Sequence, residues 1–184
     1  MLRRHVLLGG AALAVSPLAS AVAAAPPRLV LHEWFQGRTH AVGAFLNRFT
    51  GEERRLAVDL IGRWNGRRLT LFEDFFYADG ERDQKTWVFE RTGPETYRGT
   101  REDVVVPAEV TSPAPDTVVF GYTADLQLPS GITRLGFEDK LVLRPDGTVL
   151  NTATVSRFFI PVGDVTLVFR RGRLPARLKR SGGA

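Results

Sequence analysis

One stretch, from Leu56 to Phe89, constrains the fold most strongly because it reads as three consecutive antiparallel strands. Apolar and polar residues alternate on both sides of Asn65-Gly66, and an Asn-Gly pair between two such runs is a strong β-hairpin signal. A two-residue turn there places Trp64 opposite Arg67 and Leu60 opposite Leu71. One face of the hairpin then collects Leu56, Val58, Leu60, Gly62, Trp64, Leu69, Leu71 and Phe75, as in a sheet with one buried face. The other face is mainly polar, but Ile61, Phe72 and Phe76 interrupt it and predict that it is partly covered.

Glu73 is the exception on the apolar face. If Ala78-Asp79-Gly80 forms a three-residue turn with glycine in the left-handed conformation, Glu73 faces Lys85 and Leu71 faces Trp87. A two-residue turn would instead point Trp87 outward, and the burial of aromatic residues favours the first register. The sequence therefore predicts an inward-pointing Glu73–Lys85 pair beneath Trp87.

The rest of the chain continues the pattern of short strands and turns. Nine or ten strands are predicted at a spacing of roughly 8–12 residues, which is typical of a sandwich or barrel. Residues 28–35 fit either a first strand or a short helix, and the proline-rich residues 111–116 are predicted to form a loop. Successive tight hairpins indicate an up-and-down meander, and closure would remove its two edges. We therefore predict an all-β fold, an antiparallel up-and-down barrel of 8–10 strands.

The two ends of the chain differ from the body. Residues 1–23 combine basic, apolar and small residues in the order of a secretory signal peptide, which predicts a periplasmic, soluble protein. Arg3-Arg4 fits a twin-arginine signal, although any basic start would serve the general export route. Residues 24–171 are predicted to form one domain, and residues 172–184 a basic, disordered tail that could touch an anionic membrane surface. Because the basic residues concentrate in the tail while the body is slightly acidic, a nucleic-acid partner is not expected.

From about Leu29 to Arg170 the chain resembles DUF3833, a bacterial family of unknown function whose members are often lipoproteins. The motifs that carry the resemblance are Phe35-x-Gly37 with Gly43 and Arg48, Gly62-x-Trp64-x-Gly66, Leu69-x-Leu71-x-Glu73-x-Phe75-x-Tyr77-x-Asp79-Gly80, Lys85 two residues before Trp87, Tyr97-x-Gly99 with Asp103, Asn151, and the segment from Phe158 to Phe169. The resemblance implies a lipocalin-like or calycin-like barrel, an exported location and a connection with lipid, but no established activity.

This sequence departs from the family pattern at several points. It contains no cysteine, so the lipid-modified cysteine of a lipoprotein is missing, and Lys85 stands where arginine is usual. A proline-rich loop and Glu138-Asp139-Lys140 replace two further family motifs. Ligand contacts built from those positions are therefore expected to differ.

Ten residues are predicted to face the barrel interior and to bind a ligand. They are Glu73, Lys85, Asp103 and Asp139, which are charged, and Trp64, Trp87, Phe75, Tyr97, Tyr122 and Phe137, which are aromatic. The charged residues could hold the polar end of a ligand or act as an acid or base, since carboxyl groups in apolar surroundings have altered pKa values. They could equally form a structural ion pair, and the aromatic residues could simply fill the core.

Three functions remain open at this point. The first is a periplasmic binding protein for a small apolar ligand such as a fatty acid or other lipid. The second is a lipid-modifying enzyme, an isomerase or cyclase, with Glu73 or Asp139 as base. The third is a filled barrel that interacts with envelope proteins. No motif for a metal, phosphate, dinucleotide or catalytic serine is present, so no cofactor is predicted.

Overall fold

The computed structural model describes residues 27–128 and 131–183. The predicted signal peptide, residues 1–23, lies outside the described residues. The elements are α1 (Leu31–Phe35), β1 (Gly37–Asn47), β2 (Glu53–Trp64), β3 (Arg68–Tyr77), β4 (Arg82–Arg91), β5 (Tyr97–Thr100), β6 (Val104–Ala114), β7 (Thr117–Leu128), β8 (Gly131–Leu143), β9 (Val149–Arg157), β10 (Ile160–Arg171) and α2 (Ala176–Ser181). Within these ranges, no helix has the length and apolar character needed to cross a membrane.

The ten strands form one closed antiparallel barrel. Each strand pairs with its neighbours in sequence, and β1 pairs with β10 from Thr39 opposite Arg171 to Asn47 opposite Gly163. That last pairing removes the two edges that an open meander would leave. The predicted up-and-down β-barrel is therefore confirmed, whereas its likeness to lipocalins stays a prediction.

The first hairpin has a different register from the one predicted. Trp64 lies opposite Leu69 and Leu60 opposite Glu73, which is two residues away from the predicted pairing. The Asn65 side chain is the cause, because its Oδ1 accepts hydrogen bonds from the backbone N–H groups of Arg67 (3.1 Å) and Arg68 (2.8 Å) and so supports a longer turn. Since the shift is by two residues, every side chain stays on its predicted face.

The second hairpin follows the prediction. Glu73 lies opposite Lys85 and Leu71 opposite Trp87, and Gly80 at the end of the three-residue turn has a φ of 94°. This three-residue turn depends on glycine at position 80 because a residue with a Cβ is disfavoured at positive φ.

Two other segments decide between, or contradict, the structures expected from the sequence. Residues 31–35 are helical, which decides between the two alternatives for that segment. The predicted loop at residues 111–116 is wrong, because β6 continues to Ala114 and pairs there with Thr117. Pro107 and Pro113 both lie where the register of β6 shifts, and such irregular positions tolerate a residue that lacks a backbone N–H.

The two ends of the barrel are not equivalent. Helix α1 covers the end that holds the β2–β3, β4–β5, β6–β7 and β8–β9 connections, and we call this the closed end. Leu31, Trp34 and Phe35 are buried there, and a Cβ on Gly62 would lie 1.8 Å from the Phe35 carbonyl oxygen. The helix can therefore seat this deeply because residue 62 is glycine. The other five connections form the opposite, open end.

The predicted disordered tail is instead ordered on the outer wall of the barrel. Leu174 is buried, its backbone N–H donates to Asp59 Oδ1 (3.2 Å), and Lys179 Nζ in α2 lies 2.6 Å from Asp59 Oδ2. The Lys179 ammonium also lies 5.3 Å from the centre of the Phe76 ring. Asp59 and Phe76 on the outer face of β2–β3 thus supply contacts that hold the tail.

Leu174→Ala is expected to lower the free energy of unfolding by about 2 kcal/mol, because it removes a buried leucine side chain and leaves a cavity. Denaturant unfolding monitored by circular dichroism measures the change. Arg177→Ala, at an exposed position nearby, is the control and should stay within about 0.5 kcal/mol of wild type. An equally small effect of Leu174→Ala would show that the tail does not pack on the barrel in solution.

Candidate ligand-binding site

The barrel encloses a cavity of about 650 Å³ with mainly apolar walls. Leu31 and Phe35 of α1 line it at the closed end. Phe49, Leu128 and Arg157 line it at the open end, and all three are also exposed to solvent. The cavity is therefore closed at one end by α1 and reaches solvent at the other.

Aromatic side chains from β4 and β7–β8 form a continuous band along one wall. The Tyr122 and Phe137 rings stack with centres 4.8 Å apart, and Trp87 meets Tyr122 edge-on at 5.0 Å. Trp87 also stacks on Phe89 at 5.1 Å. This packing leaves one aromatic wall that faces the cavity, as sites for apolar ligands commonly have.

Glu73 places a carboxyl group in this cavity. Its side chain points inward from β3, and burial raises its pKa from 4.5 to about 7, although the positive charge of Arg101 opposes the rise. No hydrogen bond or ion pair reaches this carboxyl from the described residues. Near neutral pH a large share of Glu73 is therefore still protonated, and this form can donate a hydrogen bond.

Asp139 is the second buried carboxyl group of the cavity. Burial raises its pKa from 3.8 to about 6, while a hydrogen bond from Asn151 Nδ2 to Oδ1 (2.8 Å) opposes the rise. Its other oxygen, Oδ2, is buried without a hydrogen-bond partner in the described part of the chain. Burial also raises the pKa of the neighbouring Tyr122 hydroxyl, so this tyrosine is neutral. An unpaired oxygen on a buried carboxyl group is costly, and a ligand could satisfy it.

Arg101 supplies the positive charge of the site. Its guanidinium Nε donates to Asp103 Oδ1 (2.6 Å), and the guanidinium carbon lies 4.8 Å from the Trp87 ring centre and 5.3 Å from that of Tyr122. Burial alone would raise the pKa of Asp103, but Arg101 and Lys85 hold it below its ordinary value. The guanidinium is thus fixed against the aromatic wall, with donor groups left over for a ligand.

The predicted Glu73–Lys85 ion pair is wrong even though the register that suggested it is right. Lys85 Nζ lies 3.2 Å from Asp103 Oδ2 and 3.3 Å from Asp83 Oδ2. Its long side chain reaches these two carboxylates and not Glu73, because ionising Glu73 would place a charge in poorly solvating surroundings.

The structure brings together most of the predicted ligand-binding residues. Those that line the cavity are Glu73, Phe75, Lys85, Trp87, Tyr122, Phe137 and Asp139. Asp103 does not line it but holds Arg101 and Lys85. Alternation together with the turn at Ala78-Asp79-Gly80 predicts these positions. The cavity shows that their side chains do not completely fill the barrel core.

Trp64 and Tyr97 do not line the cavity, which corrects the prediction for both. The His32 ring in α1 stacks on Trp64 with centres 4.1 Å apart, and its Nδ1 lies 2.6 Å from the Tyr97 hydroxyl oxygen. Burial lowers the pKa of His32, so its ring is neutral. The two aromatic residues therefore anchor the helix at the closed end.

Arg101 and Asn151 are the residues that sequence reasoning missed as site residues. Tyr97, Gly99, Arg101 and Asp103 alternate on one face, so the pattern that selected Asp103 also selects Arg101. A signal for Arg101 was therefore present in the sequence. Asn151 is one of the residues that carry the family resemblance, but its contact with Asp139 could not be predicted because it depends on the pairing of β8 with β9.

Metal binding has no obvious place in this site. In the part of the chain that the structure describes, no group of three or more His, Cys, Asp or Glu side chains is arranged to hold a metal ion. The prediction that no cofactor is required stays a prediction.

Fold and site together define the chain as a closed up-and-down β-barrel with an apolar cavity and a buried polar cluster. The model of the protein family of unknown function DUF3833 matches residues 10–171, and the chain belongs to that family. No curated protein matches the sequence. Among solved structures, a de novo designed fluorescence-activating β-barrel matches with 14% identity and a TM-score of 0.40, covering 78% of this chain and 99% of the designed one.

Glu73 is expected to make the wild-type protein less stable as the pH rises, and Glu73→Gln is expected to abolish this contribution. Because the folded-state pKa of about 7 is above the ordinary value of 4.5, the folded protein holds this proton more tightly than the unfolded chain. Its stabilising contribution is full below about pH 4.5 and is lost as the pH rises toward 7. Glu73 alone should account for a loss of about 3 kcal/mol of unfolding free energy between the two ends of this range, and the variant should lack that loss.

Denaturant unfolding at about pH 4 and about pH 8 measures this difference. The control is Asp74→Asn, which changes an exposed carboxyl group on the opposite face of the same strand and should keep the wild-type dependence. If Glu73→Gln lost as much stability with rising pH as the wild type, the raised pKa of Glu73 would be disproved.

Proposed function

We propose that this protein binds a small, mainly apolar molecule with one polar end, such as a fatty acid or another lipid, inside the barrel. The cavity of about 650 Å³ with mainly apolar walls is the observation that carries the proposal. Its size lies within the ~300–1,000 Å³ that is usual for small-molecule sites. A filled barrel, which the third sequence-based hypothesis required, would lack this space.

The polar cluster supports the choice of an amphiphilic ligand with an acidic or hydrogen-bonding end. Arg101 offers guanidinium donors, and the protonated Glu73 carboxyl offers a further one. A ligand carboxylate could accept from both, while a ligand hydroxyl could donate to the unpaired Asp139 Oδ2. The hydrocarbon part would lie along the wall formed by Trp87, Tyr122 and Phe137.

We also propose that the protein acts outside the cytoplasm as a soluble, lipocalin-like periplasmic binding protein. The secretory pattern in residues 1–23 supports export, and the absence of cysteine argues against a lipid anchor on that residue type. Detection of the processed protein in a periplasmic extract tests the location independently of ligand binding.

Ala153→Phe is expected to abolish ligand binding by filling the cavity. Ala153 is buried on β9 and lines the cavity, so a larger side chain there occupies the space that the ligand needs. Native mass spectrometry of the purified protein, followed by organic extraction and lipid analysis, should show a stoichiometric lipid on the wild type and none on the variant. Added fatty acid should likewise bind the wild type alone.

Thr152→Phe is the matched control because it adds the same side chain at the neighbouring, exposed position of the same strand. It should retain the ligand. A wild-type protein that carries no lipid and takes up no added fatty acid would rule out the binding function as proposed.

A second candidate function is lipid modification, and the unpaired Asp139 favours it. A carboxyl group with a pKa of about 6 and one free oxygen is suited to remove a proton from a bound molecule at neutral pH. Glu73 in its protonated form could return a proton at a second position. Together they could serve an isomerisation or cyclisation of the ligand.

If Asp139 acts as a base, the bound lipid should acquire deuterium at carbon when the protein is incubated in D₂O. Mass spectrometry of the extracted lipid measures the uptake, and Asp139→Asn should abolish it while the lipid still binds. Glu138→Gln, which changes the adjacent exposed carboxyl group, is the control. A wild-type ligand without carbon-bound deuterium would leave binding without catalysis as the function.

A further inference from the structure

We propose that the open end of the barrel docks on the surface of a lipid bilayer, with the Phe158-Phe159 turn entering the interface first. In the described residues, all exposed large apolar side chains except Phe72 lie at this end. They include Phe49 at the β1–β2 connection, Val106 in β6, Leu128 in β7, and Phe158, Phe159 and Ile160 at the β9–β10 turn. The inference concerns the outer surface and does not depend on what the cavity binds.

We call these exposed apolar residues around the open end the rim, and the β9–β10 turn is its most unusual part. Arg157 pairs with Ile160, so Phe158 and Phe159 form a two-residue turn, and both have positive φ, 51° and 65°. Such turns favour Asn-Gly because residues with large side chains are disfavoured in that conformation. Phe158 is 79% exposed and Phe159 is fully exposed. Phenylalanine is disfavoured at positive φ, and an exposed phenylalanine ring is disfavoured in water. Two such residues in one turn therefore indicate that the turn contacts an apolar surface.

The position of the turn favours a bilayer over a protein partner. The apolar tips belong to four separate hairpins that surround the mouth of the cavity, and Phe49 and Leu128 belong both to this rim and to the cavity lining. A fluid apolar layer can meet separate loop tips at once, whereas a protein would need a matching concave surface. A bilayer would also cover the cavity mouth continuously with apolar material.

Charge at the rim fits the phosphate level of a bilayer. The Arg157 guanidinium lies 5.3 Å from the Phe158 ring centre and forms no ion pair with the described residues. Aromatic rings with a flanking arginine are typical of the membrane–water interface, because the ring enters while the guanidinium stays at the phosphates.

The variant Phe158→Asn/Phe159→Gly tests the proposal, because it installs the residue pair that this turn conformation prefers. It should fold at least as stably as the wild type by thermal unfolding. Its binding to vesicles made of equal parts phosphatidylcholine and phosphatidylglycerol should fall at least roughly tenfold in a flotation assay, since two apolar side chains no longer enter the interface. Phe72→Thr, which removes an exposed phenylalanine from the barrel wall, should bind like the wild type.

A fluorescent label identifies which part of the full-length protein meets the vesicle. Because the chain has no cysteine, Phe158→Cys can carry a single environment-sensitive nitrobenzoxadiazole dye. Its emission should shift to the blue and intensify on vesicles. The same dye on Asp146→Cys, at the closed end, should not respond.

The proposal is overturned if the dye at residue 158 does not respond to vesicles or if the Asn-Gly variant floats as well as the wild type. It is also overturned if the wild type does not bind vesicles but self-associates through this turn, as sedimentation velocity of wild type and Asn-Gly variant would show. In that case the rim is a protein interface.

Arg157→Gln should weaken binding to these anionic vesicles about fivefold, as expected for one basic residue at the surface.

Discussion

The pairing of β1 with β10 is the constraint on which the rest of the structure depends. It joins the first and last strands over nine residue pairs and closes a sheet of ten strands. Around eight strands leave an interior that side chains can fill, and a larger number widens it. The cavity is thus a consequence of strand number, and the aromatic residues reduce its volume without filling it. A closed barrel has two ends, and α1 covers one of them.

Buried carboxyl groups acquire their properties from this geometry. Glu73 and Asp139 point into a space that protein atoms do not fill and that is too apolar to solvate a charge well, so burial raises both pKa values. Arg101 alone does not reverse the effect, because Asp103 already engages its guanidinium. The site therefore combines a cation, a carboxyl group that can keep its proton near neutral pH and an unpaired oxygen, a combination that a bound polar group would complete.

The fold and most of the cavity wall could be predicted from the sequence because a register error of two residues leaves each side chain on the same face. The first hairpin is displaced by two residues, yet Glu73 still points inward. What could not be predicted depends on side-chain reach and on contacts distant in sequence. Lys85 extends to Asp83 and Asp103 instead of Glu73, and Trp64 and Tyr97 contact His32 of α1 at the closed end instead of the cavity. The tail folds because Asp59, far away in sequence, offers a partner to Lys179.

One turn at the open end departs from the pattern of the other connections. In an up-and-down barrel successive connections alternate between the two ends, so every second connection lies at the same end. Connections at both ends use turn residues such as Asn65-Gly66 and Asp79-Gly80, whereas Phe158-Phe159 occupies the β9–β10 turn at the open end. A turn that needs positive φ can be formed at lower free energy by Asn-Gly than by two phenylalanines. Their presence is therefore better explained by what the open end meets than by what the fold requires.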